Sequence, residues 1–165
     1  MSSTQPGLLS TLRPMGLPPT PILSLLFTYA LNMIATPRQY YGSMTAPENN
    51  AAPAECLARA ETEKGHVSPE QLKMIRRAKG AAGNLQEVMP LYLVASLTAW
   101  LGGVSPEYQN VYHLVWLLGR IGYKYCYLNG IGEARSGLFV LTQIANIAML
   151  IHGGNALHTR VARYY

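Results

Sequence analysis

Three short stretches hold the residue types that could do chemistry. In the first, Arg77, Ala81, Asn84 and Glu87 follow at intervals of four, three and three. On a helix that spacing puts them near one face. In the second, His113, Trp116, Arg120, Tyr123 and Tyr127 repeat at three, four, three and four, the period of a seam that faces other helices. The third opens on Arg135-Ser136 and carries Phe139, Gln143 and Asn146 along one stripe. A guanidinium near a membrane interface needs an anionic partner, so Arg120 stands apart from aromatic neighbours whose ordinary role is packing. Glu87 directly precedes the apolar run VMPLYLVASLTAW. A carboxylate there is costly unless paired and marks function by default. Its structural alternative is an ion pair with Arg120 that holds two helices together.

Other chemistries find little support. The four histidines are scattered, and Cys56 and Cys126 form no CxxC pair, so no metal site is expected. Both cysteines read as free thiols facing a reducing compartment. There is no aspartate at all, which removes the usual partner of catalytic triads. The net charge of +5 comes without a basic stripe interleaved with aromatics, so nucleic acid is not an expected partner.

The elements that must position these residues read as helices that cross a bilayer. Hydrophobic residues make up 49% of the 165 residues and charged ones 13%, about half the usual soluble share of ~25%. Pro14 to Pro37 contains no charge, and a first span is expected from Pro21 to Thr36. Residues 1–17 read as a loose tail. Residues 46–67, rich in Pro, Asn, Ala and Glu, form a connector with a short helix around Ala54–Glu63. Ser68-Pro69-Glu70-Gln71 is a helix start with a serine cap, and the second helix runs from there to Gly102-Gly103. About 34 residues would be near ~50 Å, against a hydrocarbon core of ~30 Å, so its first three turns should project into water. Ser105-Pro106-Glu107-Tyr108 repeats the start signal, and the third helix ends at Asn129-Gly130. The fourth begins near Glu133 and continues to about Leu157. The expected fold is all-α: one integral membrane domain, a four-helix bundle whose protomer runs up, down, up and down. A soluble bundle would need a charged outer face on each helix, and the fourth helix has none.

The cationic residues sort by side. Seven lie from Arg38 to Lys79, and Arg120, Lys124 and Arg135 flank the third connection. The positive-inside rule then puts the first and third connections in the cytosol. Antiparallel packing brings Arg77, Arg120 and Arg135 to that end with Asn84, Glu87, Tyr123, Tyr127 and Ser136. Such a pocket suits a small, multiply charged anion that also carries an amine. A peptide-like thiol such as glutathione fits that description, though the pattern alone does not name it.

RAKGAAGNLQEVMPLYL followed by LLGRIGYKYCYLNGIGEARSGLF resembles the MAPEG family, the membrane-associated proteins in eicosanoid and glutathione metabolism. The resemblance covers about Lys73 to Leu157. It is closest to the branch of microsomal prostaglandin E synthase, the microsomal glutathione transferases and their fungal relatives. It implies a homotrimer in the endoplasmic reticulum membrane, with glutathione bound between protomers near the cytosolic face. Carried over, Asn84 and Glu87 match positions that contact glutathione, and Arg77, Arg120, Tyr123 and Tyr127 match further members of that site. Arg135 matches the arginine that stabilises the glutathione thiolate, and Ser136 its neighbour. Arg38 matches another glutathione-binding arginine. Three departures bear on affinity and geometry. Ala82 sits where many members have histidine, Gly80 where some have arginine, and Phe139 where several have tyrosine.

The resemblance implies a glutathione-dependent transferase, isomerase or peroxidase acting on a lipophilic electrophile. Arg135 would favour the thiolate, with Ser136 or Tyr127 hydrogen-bonded to the sulfur. The alternative is a non-catalytic scaffold that presents a lipid to a partner enzyme.

Overall fold

The computed structural model describes residues 20–34, 58, 61, 62 and 68–163. Four long helices account for most of these: α1 (Thr20–Met33), α2 (Pro69–Gly102), α3 (Pro106–Asn129) and α4 (Gly132–Val161). They run up, down, up and down; α2 and α3 begin and end where the start and stop signals lie, while α4 continues four residues beyond the expected Leu157, to Val161. The expected extension of α1 to Thr36, the tail, Arg38, Cys56 and most of the connector lie outside the described residues. Ala58, Glu61 and Thr62 have helical backbone, as the short connector helix requires. Glu61 meets Arg76 of α2 in an exposed ion pair at 2.9 Å.

The two Ser-Pro starts differ. Ser68 accepts from the Gln71 backbone N–H at 3.2 Å, while the Gln71 side chain accepts from the Ser68 N–H at 3.1 Å. This reciprocal cap needs a Gln or Glu three residues on. At Ser105 that position is Tyr108, and Ser105 makes no side-chain cap. Gln109 instead donates to the Val104 carbonyl at 2.7 Å and steadies the α2–α3 turn. Gly103 and Gly130 end α2 and α3 with φ near +75°, the left-handed geometry glycine adopts without strain.

α2 and α4 run parallel and pack backbone to backbone. A Cβ on Gly153 would lie 2.6 Å from the Ala99 nitrogen, and one on Gly102 2.8 Å from the Gly153 carbonyl oxygen. Inside a bilayer, helix association relies on such close approach of small residues. The core above the site is built on Tyr92, stacked on Trp116 at 3.8 Å, with Leu85, Val88, Ala95, Ala99 and Met149 around them. Several of its polar groups find partners across helices, while Trp116 Nε1 and His113 Nε2 have none. The Tyr92 hydroxyl donates to Ser24 at 2.6 Å, His113 Nδ1 lies 2.9 Å from Tyr92, and Tyr112 donates to Asn146 at 3.0 Å. These bonds tie all four helices together away from water, where an unpaired polar group is costly.

The outer surface is aliphatic, with Leu93, Val94 and Leu97 on α2, Leu114, Leu118 and Ile121 on α3, and Ile144, Ile147 and Ile151 on α4 all exposed. A soluble bundle would carry charge there. Among the described helices, α4 alone is long and apolar enough by composition to be a bilayer span on its own. In α3 the polar residues that lower the average are mostly buried in the inward-facing seam, whereas in α2 most are exposed charges of its first turns.

Candidate functional site

The end where α2 begins, α3 finishes and α4 begins holds two adjoining clusters. The first surrounds Arg120, which is 2% exposed. Its Nη2 donates to the Asn84 side-chain oxygen at 3.2 Å and lies 3.4 Å from the Asn84 carbonyl. Its Cζ sits 4.9 Å from the Tyr123 ring centre, 5.6 Å from Trp116 and 6.0 Å from Phe139. This aromatic surround supplies cation–π attraction but no carboxylate. Nε and Nη1 of Arg120 have no hydrogen-bond partner. The ion pair with Glu87 weighed from the sequence is not made within the protomer. Glu87 comes three residues after Asn84, about 60° further round the helix, and faces outward. Asn84, rather than Glu87, meets the arginine.

The second cluster is a cavity of about 240 Å³ between Arg77, Tyr127 and Arg135, with Cys126 and Gly130 in its wall. Arg135, from the first turn of α4, holds its Cζ 5.1 Å from the Tyr127 ring. Arg77 Nη1 donates to the Leu128 carbonyl at 3.0 Å and so caps the end of α3. The guanidinium fits there because Gly130 has no side chain: a Cβ would approach its Cζ to 2.7 Å. Tyr127 is seated the same way, since a Cβ on Gly80 would overlap its hydroxyl and come within 2.8 Å of its Cζ. The departure from arginine at Gly80 therefore has a steric consequence, a notch that receives the tyrosine hydroxyl.

Tyr123 joins the clusters, with its ring 5.7 Å from Tyr127 and 6.2 Å from Phe139. Ser136 lies on the exposed face of α4 and donates its hydroxyl to the Gly132 carbonyl at 3.0 Å. Of the residues singled out from sequence, Arg77, Tyr127 and Arg135 share the cavity, and Asn84, Arg120 and Tyr123 lie in the adjoining cluster. Glu87 and Ser136 face outward, and Arg38 lies outside the described residues. The sequence did not reveal the seats at Gly80 and Gly130, nor the role of Lys124. That ammonium is buried and donates to the Leu31 carbonyl at 2.7 Å and to the Ile34 carbonyl, closing the end of α1. Its place on α3, four residues after Arg120, is the one hint the sequence offers.

The arrangement is cationic, rimmed by aromatic rings, and set where α4 begins, so its exposed N–H groups add positive potential. It can hold an anion beside a phenol. The family model for MAPEG matches residues 19–155, most of the chain. The chain belongs to the MAPEG family. No curated protein and no solved structure matches it. MAPEG proteins are membrane four-helix bundles, which accounts for the aliphatic exterior and inward polar seam. Glutathione is the family's cosubstrate, and glutathione-dependent transferases are among its members. In this MAPEG protein the cavity presents two guanidiniums and a phenol, with no carboxylate among the described residues that line it.

Proposed function

We propose that this MAPEG protein is a membrane-bound glutathione-dependent transferase, or isomerase or peroxidase, acting on a lipophilic electrophile, of the branch that holds microsomal prostaglandin E synthase, the microsomal glutathione transferases and their fungal relatives. The observation that carries this reading is the cavity shared by Arg77, Tyr127 and Arg135. Arg135 offers a guanidinium held over an aromatic ring, and Tyr127 offers a hydroxyl at the same opening. A positive charge within a few ångströms lowers the pKa of a thiol and so raises the fraction present as nucleophile. Arg77 and Asn84 supply further donors for the peptide portion. Arg120 orients Asn84 and adds charge; direct contact with a ligand requires Tyr123 or Phe139 to move aside, because its nitrogens are closed off from solvent.

A cavity of about 240 Å³ falls below the ~300–1,000 Å³ of a complete small-molecule site. We therefore assign it as a half-site completed by a neighbouring protomer in a homotrimer. Glu87 and Ser136 face outward near the same end, and an exposed carboxylate at that depth calls for a partner. The family resemblance adds Arg38 to the proposed glutathione-binding residues. Four crossings with this end in the cytosol, in the endoplasmic reticulum membrane, agree with ten of the thirteen cationic residues lying in or beside the first and third connections.

The test is incubation of the purified protein with glutathione and a panel of lipophilic electrophiles, read by mass spectrometry. Adduct, isomer or reduced product is expected in wild type. Failure across the panel, with no thiolate absorbance from bound glutathione, would favour the scaffold reading instead.

A further inference from the structure

A larger cavity lies at the opposite end of the bundle from Arg120 and Arg135. Its volume is about 720 Å³, and it is walled by Gly103 after α2 and by His152, Asn155, Thr159, Arg160 and Arg163 of the last turns of α4 and the residues just beyond. Two guanidiniums, an imidazole and an amide line it, and among the described residues no carboxylate does. Glu107, on the first turn of α3, lies at the same end but is not part of the wall. Arg160 is held in place, because its Nη1 donates to the Leu101 carbonyl at 2.9 Å. A guanidinium carries five N–H donors, so most of those on Arg160 remain for another acceptor.

The depth of the cavity is marked independently. Trp100 and Tyr108 are both well exposed at this end, and the Tyr108 ring lies 5.6 Å from that of His152. Exposed Trp and Tyr belong at the level of the lipid headgroups. Toward the middle of the bundle the surface turns aliphatic, with Leu97, Val111 and Ile151 exposed. The cationic cavity thus opens at headgroup depth above a wall suited to acyl chains.

We propose that this cavity binds the phosphate of an anionic membrane phospholipid. Arg160 and Arg163 bind the phosphate, and the acyl chains lie along the aliphatic wall. Among the described residues the site holds no carboxylate to receive a choline ammonium, so a zwitterionic lipid gains no ion pair for its cationic end and binds less well. Guanidiniums meet phosphate oxygens in charge-assisted, bidentate hydrogen bonds on either side of a membrane.

The protein carries its own probe. It has two tryptophans, and Trp116 is fully buried while Trp100 is exposed beside the cavity. The full chain is reconstituted in phosphatidylcholine vesicles containing a fixed fraction of brominated phosphatidic acid or brominated phosphatidylcholine, and Trp100 quenching is recorded. An arginine near an anionic surface contributes about ~1 kcal/mol, roughly fivefold in affinity. Wild type should therefore prefer phosphatidic acid by on the order of tenfold or more. Arg163→Gln should lower the preference about fivefold while leaving the Arg160–Leu101 bond intact. Adding Arg160→Gln should bring it close to one. Equal quenching by both lipids, or a preference that survives in the double variant, overturns the proposal. Loss of the preference at a low inorganic phosphate concentration, where sodium chloride of the same ionic strength leaves it intact, overturns the assignment to lipid and makes this a free-phosphate site.

Discussion

Asn84 faces Arg120 across the α2–α3 interface, its side-chain oxygen accepting from Nη2 at 3.2 Å. This bond fixes the amide and leaves its NH₂ group directed elsewhere, while it meets part of the demand of a buried guanidinium. Asn84→Ala should therefore act twice. Removing one partner of a buried charged group costs about ~1–3 kcal/mol, visible as a lower Tm. Glutathione binding should weaken before turnover at saturation does. Calorimetric titration beside steady-state kinetics separates these effects; an unchanged glutathione Kd would remove Asn84 from the site.

Arg135 should matter more to chemistry than to binding. A thiol of pKa near ~8.5 is mostly protonated at pH 7, and a neighbouring guanidinium shifts an ionisable group by about one to three units. Arg135→Ala should cost roughly ten- to a thousandfold in turnover if thiolate formation limits the rate. Arg135→Lys keeps the charge but loses the planar fork and should fall between. Ultraviolet absorbance of bound thiolate against pH, measured with turnover, is the check. Both signals unchanged in Arg135→Ala would end the assigned role.

Gly80→Ala tests the seat of Tyr127. The added methyl overlaps the tyrosine hydroxyl and must displace the ring. Overpacking costs about ~1–3 kcal/mol, while alanine gains about ~1 kcal/mol of helix propensity over glycine. The expected result is a small change in Tm with a clear fall in turnover. In a Tyr127→Phe background the same substitution should cost less, giving a coupling of about ~1 kcal/mol in a double-mutant cycle. Strict additivity would mean that the two positions do not touch.

Gly153→Ala should be severe where Gly154→Ala is mild. At Gly153 a Cβ meets the α2 backbone, including Ala99 Cα at 2.8 Å, and backbone cannot swing aside. At Gly154 a Cβ meets nothing within 4 Å. The first should lower stability by about ~2 kcal/mol or more, and the second should stay within roughly ~1 kcal/mol of wild type. Thermal unfolding in detergent decides the comparison. Equal effects would show that α2 and α4 do not pack through this glycine.

The sequence by itself determined the helices and which of their residues turn inward. Local signals were enough for that. Ser68 and Gln71 cap each other through bonds that span three residues, and Gly130 ends α3 through its own backbone freedom. The period of His113, Trp116, Arg120 and Tyr123 was legible as an inward seam because helix geometry alone sets which residues share a face, and all four are buried. At Ser105 the repeated start signal marked the helix start but not a cap, since Tyr108 cannot reciprocate.

Only the tertiary structure decided who meets whom. Asn84 and Glu87 lie on nearly the same stripe, and an offset of about 60° sends one to Arg120 and the other outward. Arg77, which reads as an anion binder in sequence, spends one N–H on the α3 terminus because the chain turns beneath it at Gly130. The Gly80 notch, the parallel packing of α2 on α4 through Gly153, and Lys124 closing α1 join residues far apart in the chain. Such contacts are set by interhelical distance and rotation, which local spacing does not encode.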